Sequence, residues 1–113
     1  MPRSPRPLPA ASLHIVLALL GGELHGYALM RRVAELSDGA VKMGPGTMYG
    51  TLNRLLADGL IVETTDRHER DGGERRRSYE LTAHGRTVAL EEHRRLEALV
   101  QHVARSLPGG ATA

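Results

Sequence analysis

The sequence predicts a mainly α-helical fold with one β-hairpin, in the order helix, helix, helix, hairpin, helix. Three observations predict it. Apolar residues recur at helical spacing in four separate stretches. One β-branched run, Leu60 to Thr65, is followed by the turn signal Asp71-Gly72-Gly73 and a returning strand. Glycine pairs and Pro-Gly clusters punctuate the chain between these stretches.

The elements follow in order. Residues 1–9 hold four prolines and are expected to be a disordered arm. Ala10 to Leu20 carries Leu13, Val16, Leu17 and Leu20 at helical spacing and stops at Gly21-Gly22. His25-Gly26 opens a second helix with apolar Tyr27, Leu29, Met30, Val33 and Leu36, and Asp38-Gly39 ends it. The third helix is expected over Thr47 to Asp58, with Gly46 or Thr47 as N-cap and Gly59 just past its end. The returning strand runs from Arg75 to Leu81. Thr82 then caps a last helix that reaches Leu107, before Pro108-Gly109-Gly110 breaks it. Residues 10–81 thus form one unit, 82–107 a long helix, and 108–113 a flexible tail.

Composition narrows the function. The 113 residues are 25% charged and 41% apolar, which suits a small globular chain. No cysteine is present, so disulfides, thiol nucleophiles and thiolate metal sites are excluded. Tyr27, Tyr49 and Tyr79 are the only aromatic residues, too few for a stacking platform on single strands. No stretch approaches a membrane span, and the apolar run Ile15 to Leu20 is too short for a secretion leader. The six histidines avoid the three- and four-residue spacings that place ligands on one helical face, so no metal is expected. Gly44-Pro45-Gly46 lacks the Lys-Ser/Thr of a phosphate-binding loop, and no nucleophile constellation is evident. Neither an enzyme nor a cofactor is expected.

The cationic groups are placed suggestively. Net charge is only +2, but from Leu24 to Ala57 the only acids are Glu35 and Asp38, and Arg75-Arg76-Arg77 follows beyond them. On a helical wheel, Met48, Leu52, Leu55 and Leu56 form the core face of the third helix. The opposite face carries Gly46, Gly50, Asn53, Arg54 and Ala57, with Thr47 at its edge and Tyr49 and Thr51 on its flanks. Small residues let a helix sit deep against base edges; Asn can pair with adenine and Arg with guanine or phosphate. A competing reading makes Gly50 a tolerated defect and Arg54 a solvated charge. Two short helices, a Gly-containing connection and a third helix are the layout of a helix-turn-helix, and a hairpin directly after it is a wing. Along the second wing strand Arg76 and Ser78 project opposite to Arg75, Arg77 and Tyr79, so one or two of the three arginines are expected to reach phosphate. The competing reading there is a strand edge protected by charge.

In the last helix Leu96, Leu99, Val100, Val103 and Leu107 form an apolar stripe, with Glu91, Glu92, Arg94, Arg95, Glu97 and Arg105 mainly off it. A helix of about 26 residues is roughly 39 Å long, more than a small winged domain needs to cover itself. The surplus stripe is expected to meet a partner, the alternative being that it folds back on its own domain. A two-fold partner would set two recognition helices about 34 Å apart, matching an inverted repeat with half-sites about 10 bp apart.

With these motifs in view, the chain resembles the PadR family of bacterial transcriptional regulators from about Leu13 to Leu107. The resemblance rests on Leu24-His25-Gly26-Tyr27 with Leu29, on Gly46-Thr47-Met48-Tyr49 with Leu52, Arg54 and Leu55, on Asp58-Gly59-Leu60-Ile61, and on Arg76-Arg77, Tyr79, Leu81-Thr82 and Gly85. It implies a homodimeric winged helix-turn-helix that represses transcription from a double-stranded operator and is released by a small effector. It also implies cytoplasmic, nucleoid-associated residence. By the same likeness Thr47, Tyr49 and Arg54 touch DNA and the Arg75–Arg77 wing reaches backbone, and the short C-terminal region looks like the subfamily with a single dimerisation helix. Two features depart from the family: Ser78 stands where a second aromatic is common, and no Trp is present to hold a planar drug. The alternatives are a winged-helix protein-interaction module and a small-molecule sensor dimer without DNA function. The first should expose aromatic or aliphatic side chains on the third helix rather than Gly, Asn and Arg.

Overall fold

A computed structural model describes residues 6–65 and 77–108 of the chain. Helix α1 spans Ala10–Ala18 and runs on through one 3₁₀ turn, Leu19–Gly21. A two-residue strand β1, Leu24–His25, precedes helix α2, Gly26–Leu36. Helix α3 covers Pro45–Ala57; strands β2, Ile61–Thr65, and β3, Arg77–Leu81, form the wing; helix α4 spans Ala83–Ser106. The fold is therefore mainly helical with a small antiparallel sheet, as the sequence predicts.

The helix ends follow local chemistry. His25 is the N-cap of α2, its Nδ1 accepting from the Ala28 N–H at 3.4 Å. Helix α3 begins at Pro45, two residues before the expected Thr47, with Gly44 rather than Gly46 or Thr47 as N-cap. Proline's fixed φ suits that position, and its missing N–H costs nothing there. Gly59 follows α3 with φ 74°, the left-handed conformation that closes a helix at low steric cost. Thr82 caps α4 by accepting from the Gly85 N–H at 2.9 Å.

The sheet order is β1-β3-β2, all antiparallel. Glu63 stands opposite Tyr79 and Thr64 opposite Ser78, while Leu24 and His25 pair with Tyr79 and Ser78 from the other side. β3 is thus central, and both Ser78 and Tyr79 are buried despite pointing to opposite faces. The sequence predicts a two-stranded hairpin, and the third strand is a difference: two residues of β1 are too few to show an alternating pattern. The Asp71-Gly72-Gly73 turn, Arg75 and Arg76 lie outside the described residues, as do residues 1–5 and 109–113.

The core joins Ile15, Val16 and Leu19 to Leu29 and Val33 of α2, Met48, Leu52 and Leu55 of α3, and Leu60, Ile61, Tyr79 and Ala89 beyond them. The α3 core face is the one the wheel predicts, with Leu56 half-buried at its edge. Two of the apolar residues named for α2 are exposed, Tyr27 at 64% and Leu36 at 43%. Tyr27 stands two residues, about 200°, from the buried Leu29. Leu36 shares the core face, but as the last residue of α2 it passes the edge of the core.

Helix α4 has two unlike halves. Its first half packs on α1 through Ala89 and the buried Glu92, whose carboxylate accepts from the Leu8 N–H at 3.1 Å and pairs with Arg95 at 3.0 Å. Leu8, placed in the expected disordered arm, packs against the core at this point. The sequence places Glu92 with the polar residues mainly off the stripe; it does not show that the side chain is buried, with Leu8 at hand just before α1. Beyond Arg95 none of the described residues of α4 is buried.

Candidate nucleic-acid interface

The outward side of α3 is uniform in character. Gly46, Thr47, Gly50, Asn53, Arg54 and Ala57 are all exposed, and no carboxylate lies on this helix before Asp58. Thr47 lies within the first turn and its carbonyl accepts from the Thr51 hydroxyl at 2.9 Å. A Cβ added at Gly50 would meet nothing within 4 Å. Packing inside the chain therefore does not demand glycine there, while the helix forgoes roughly 0.5–1 kcal/mol by having it.

Tyr49 links this helix to its neighbours. It is 42% exposed, and its hydroxyl lies against Gly26, where an added Cβ would come within 2.6 Å of it. Gly26 thus lets the start of α2 lie alongside α3. Next to it, the exposed Tyr27 carries the Arg31 guanidinium over its ring, 5.9 Å from the centroid. Tyr27 and Arg31 were not among the expected contact residues. The signal that could have found them is the 200° offset of Tyr27 from Leu29, which leaves an aromatic outside beside a cation one turn on.

On the wing, Arg77 is exposed and forms an ion pair with Glu63, Nε to Oε2 at 3.3 Å. The neighbouring Tyr79 is buried in the sheet. Burial pushes its phenol above the ordinary value, the Glu63 carboxylate adds to the rise, and the Arg77 guanidinium opposes it. On the other face Thr64 donates its hydroxyl to Glu23. Of the eight expected DNA-contact residues, five are exposed on α3, Arg77 stands on the wing in a pair with Glu63, and Arg75 and Arg76 lie outside the described residues.

The stripe on α4 is exposed throughout: Leu96 at 36%, Leu99 at 56%, Val100 at 65%, Val103 at 50% and Leu107 at 46%. Among the described residues no cluster of three His, Asp or Glu side chains could hold a metal ion, and no helix is long and apolar enough to cross a membrane.

The sequence profile of the Transcriptional regulator PadR-like family matches residues 16–91, from α1 through the wing into α4. This chain belongs to the PadR family. It is 40% identical over 94 residues to the Transcriptional regulator Rv3488 of Mycobacterium tuberculosis, covering 83% of this chain and 82% of that one. Two solved structures share the fold. A PadR family transcription regulator from Clostridium difficile superposes with a TM-score of 0.68 at 23% identity, covering 87% of this chain and 97% of the other. Bacillus subtilis PadR in complex with operator DNA superposes with a TM-score of 0.65 at 22% identity, covering 75% of this chain and 47% of the other. At these identities the likeness shows a common fold; the PadR winged helix of this chain is the frame on which its own side chains must be read.

Proposed function

We propose that this PadR-family chain is a sequence-specific, non-enzymatic DNA-binding regulator that acts as a homodimer on an inverted-repeat operator. The exposed side of α3 carries the reading. It is small at Gly46 and Gly50, offers Asn53 and Arg54 to base edges, and bears no carboxylate before Asp58. The N-terminus of α3 adds a partial positive charge toward phosphate. Thr47 and Tyr49 flank the contact; Arg77 extends it onto the wing, and Arg75 and Arg76 follow it in sequence. The operator complex of Bacillus subtilis PadR supports the reading by fold. Tyr27 and Arg31 add an aromatic and a cation at the start of α2, beside Tyr49. The apolar stripe of α4 supplies the two-fold contact, and a repressor released by a small molecule at the subunit interface fits this arrangement. Such a role sets the protein on the nucleoid in the cytoplasm.

Selection of bound sequences from a random duplex pool tests the proposal. The expected product is an inverted repeat with half-sites about 10 bp apart, centre to centre. Recovery of unselected sequence, or of a single asymmetric site, overturns it.

A further inference from the structure

We propose that Glu63 is an internal counter-charge that occupies Arg77 while the chain is off DNA and so lowers the sequence-independent part of its duplex affinity. The inference rests on the DNA-binding reading above and deepens it.

The register places the two groups. Side chains directly opposite in an antiparallel pair share a face, and alternation puts Ile61, Glu63, Arg77, Tyr79 and Leu81 together. On that face Glu63 is the sole carboxylate and Arg77 the sole cation among the described wing residues. Tyr79, on the same face, is buried in the core, so the pair sits at the exposed end of a face whose inner part is closed. The Arg77 side chain is 68% exposed and that of Glu63 36%. A pair this exposed contributes little to folding, since attraction in water is nearly offset by the entropy of holding two long side chains. Its consequence is for ligands instead. A carboxylate and a phosphate offer the same kind of oxygen to a guanidinium. While Glu63 holds the Nε edge of Arg77, an arriving phosphate must displace it or share the guanidinium, and it also meets the negative charge of Glu63.

Removing the charge while keeping the acceptor separates these effects. Glu63→Gln leaves an amide oxygen to receive Nε–H. Binding is measured by fluorescence anisotropy on a labelled mixed-sequence duplex of about three helical turns, across a salt series. The expected result for Glu63→Gln is a roughly two- to tenfold tighter complex at low salt. Its plot of log affinity against log salt should be steeper by about one unit, the mark of one more phosphate engaged. Glu63→Ala, which removes charge and acceptor together, should shift in the same direction. On an Arg77→Gln background Glu63→Gln should lose most of its effect. Weaker binding by Glu63→Gln overturns the inference and makes Glu63 a group that aims Arg77 at DNA. A wild-type chain that binds, with Glu63→Gln indistinguishable from it, overturns this inference alone. A wild-type chain that binds no duplex at the lowest salt overturns the DNA-binding reading and the inference with it.

Discussion

Gly85 rests its Cα on the carbonyl group of Leu60. A Cβ there would overlap the Leu60 oxygen and come within 2.8 Å of its carbonyl carbon. Three hydrogen bonds hold the same junction: the Thr82 N–H donates to the Leu60 carbonyl at 3.0 Å, the Thr82 hydroxyl to the Gly59 carbonyl at 2.7 Å, and the Gly85 N–H to the Thr82 hydroxyl at 2.9 Å. The first turn of α4 is thereby clamped to the turn that leaves α3. Both sides of the clash are backbone, so no side-chain rotation relieves it. Gly85→Ala is expected to destabilise the fold by about 3 kcal/mol or more, in the range of severe overpacking. Thermal unfolding followed by circular dichroism should show a Tm lowered by roughly 12 °C or more. A loss below about 1 kcal/mol would show that the junction yields easily.

Asn53 and Arg54 reach solvent from the same side of α3 with nothing beneath them to anchor. Their replacement by Ala should leave stability within about 0.5 kcal/mol of the parent, as for other surface sites. If they read bases, each should cost about 1–3 kcal/mol of operator binding, confined to one base position per half-site. Gel shifts against single-base operator variants measure this. Unchanged affinity for Arg54→Ala would remove α3 from the interface.

The parts of the fold legible in the sequence are those written in local chemistry. The core face of α3 follows from Met48, Leu52 and Leu55 at helical spacing, and the caps His25 and Thr82 and the stop at Gly59 each act within four residues. What escaped depends on distance along the chain or on elements too short for a pattern. β1 exists because β3 offers a free edge to Leu24 and His25, more than fifty positions earlier. Glu92 reads as a surface charge on its own helix, and only the arrival of Leu8, 84 positions away, encloses it. Thr47 is a good capping type and points to a later start for α3, whereas Pro45 sets the start through its backbone. Of the candidate site, the exposed face of α3 was legible, while the partner of Arg77 was not, since pairing Glu63 with it requires the register of β2 against β3.

Tyr79 gives the fold an alkaline limit. Its buried phenol holds its proton more tightly than an unfolded chain would, where the value is about 10. A raised acid pKa stabilises the folded form fully at pH below the unfolded value, and that contribution is lost as pH rises through the folded one. Wild-type Tm should therefore fall as pH passes above about 10, alongside a late tyrosinate absorbance signal. Tyr79→Phe should lower Tm at neutral pH but show a shallower alkaline fall. Parallel curves for the two proteins would mean that other groups set the limit.

The exposed half of α4 makes the strongest demand on a partner. Leu96, Leu99, Val100, Val103 and Leu107 fall at spacings of three, one, three and four, so they share one stripe, and each is at least 36% exposed. The 24 residues of α4 extend about 36 Å, and none of its described residues beyond Arg95 is buried. A contiguous apolar stripe of this kind, with Arg94, Glu97 and Arg105 off it, is expected to meet another copy of the helix. Paired Leu99→Glu and Val100→Glu changes place two carboxylates in the stripe without touching the core, Gly85 or the wing. Multi-angle light scattering should give a dimer for the parent and a monomer for this variant, with helical content nearly unchanged. Operator affinity should fall sharply with the dimer, because each half-site must then be held alone. A parent chain that stays monomeric at tens of micromolar, or a variant that remains a dimer, would show that the stripe is not the subunit contact.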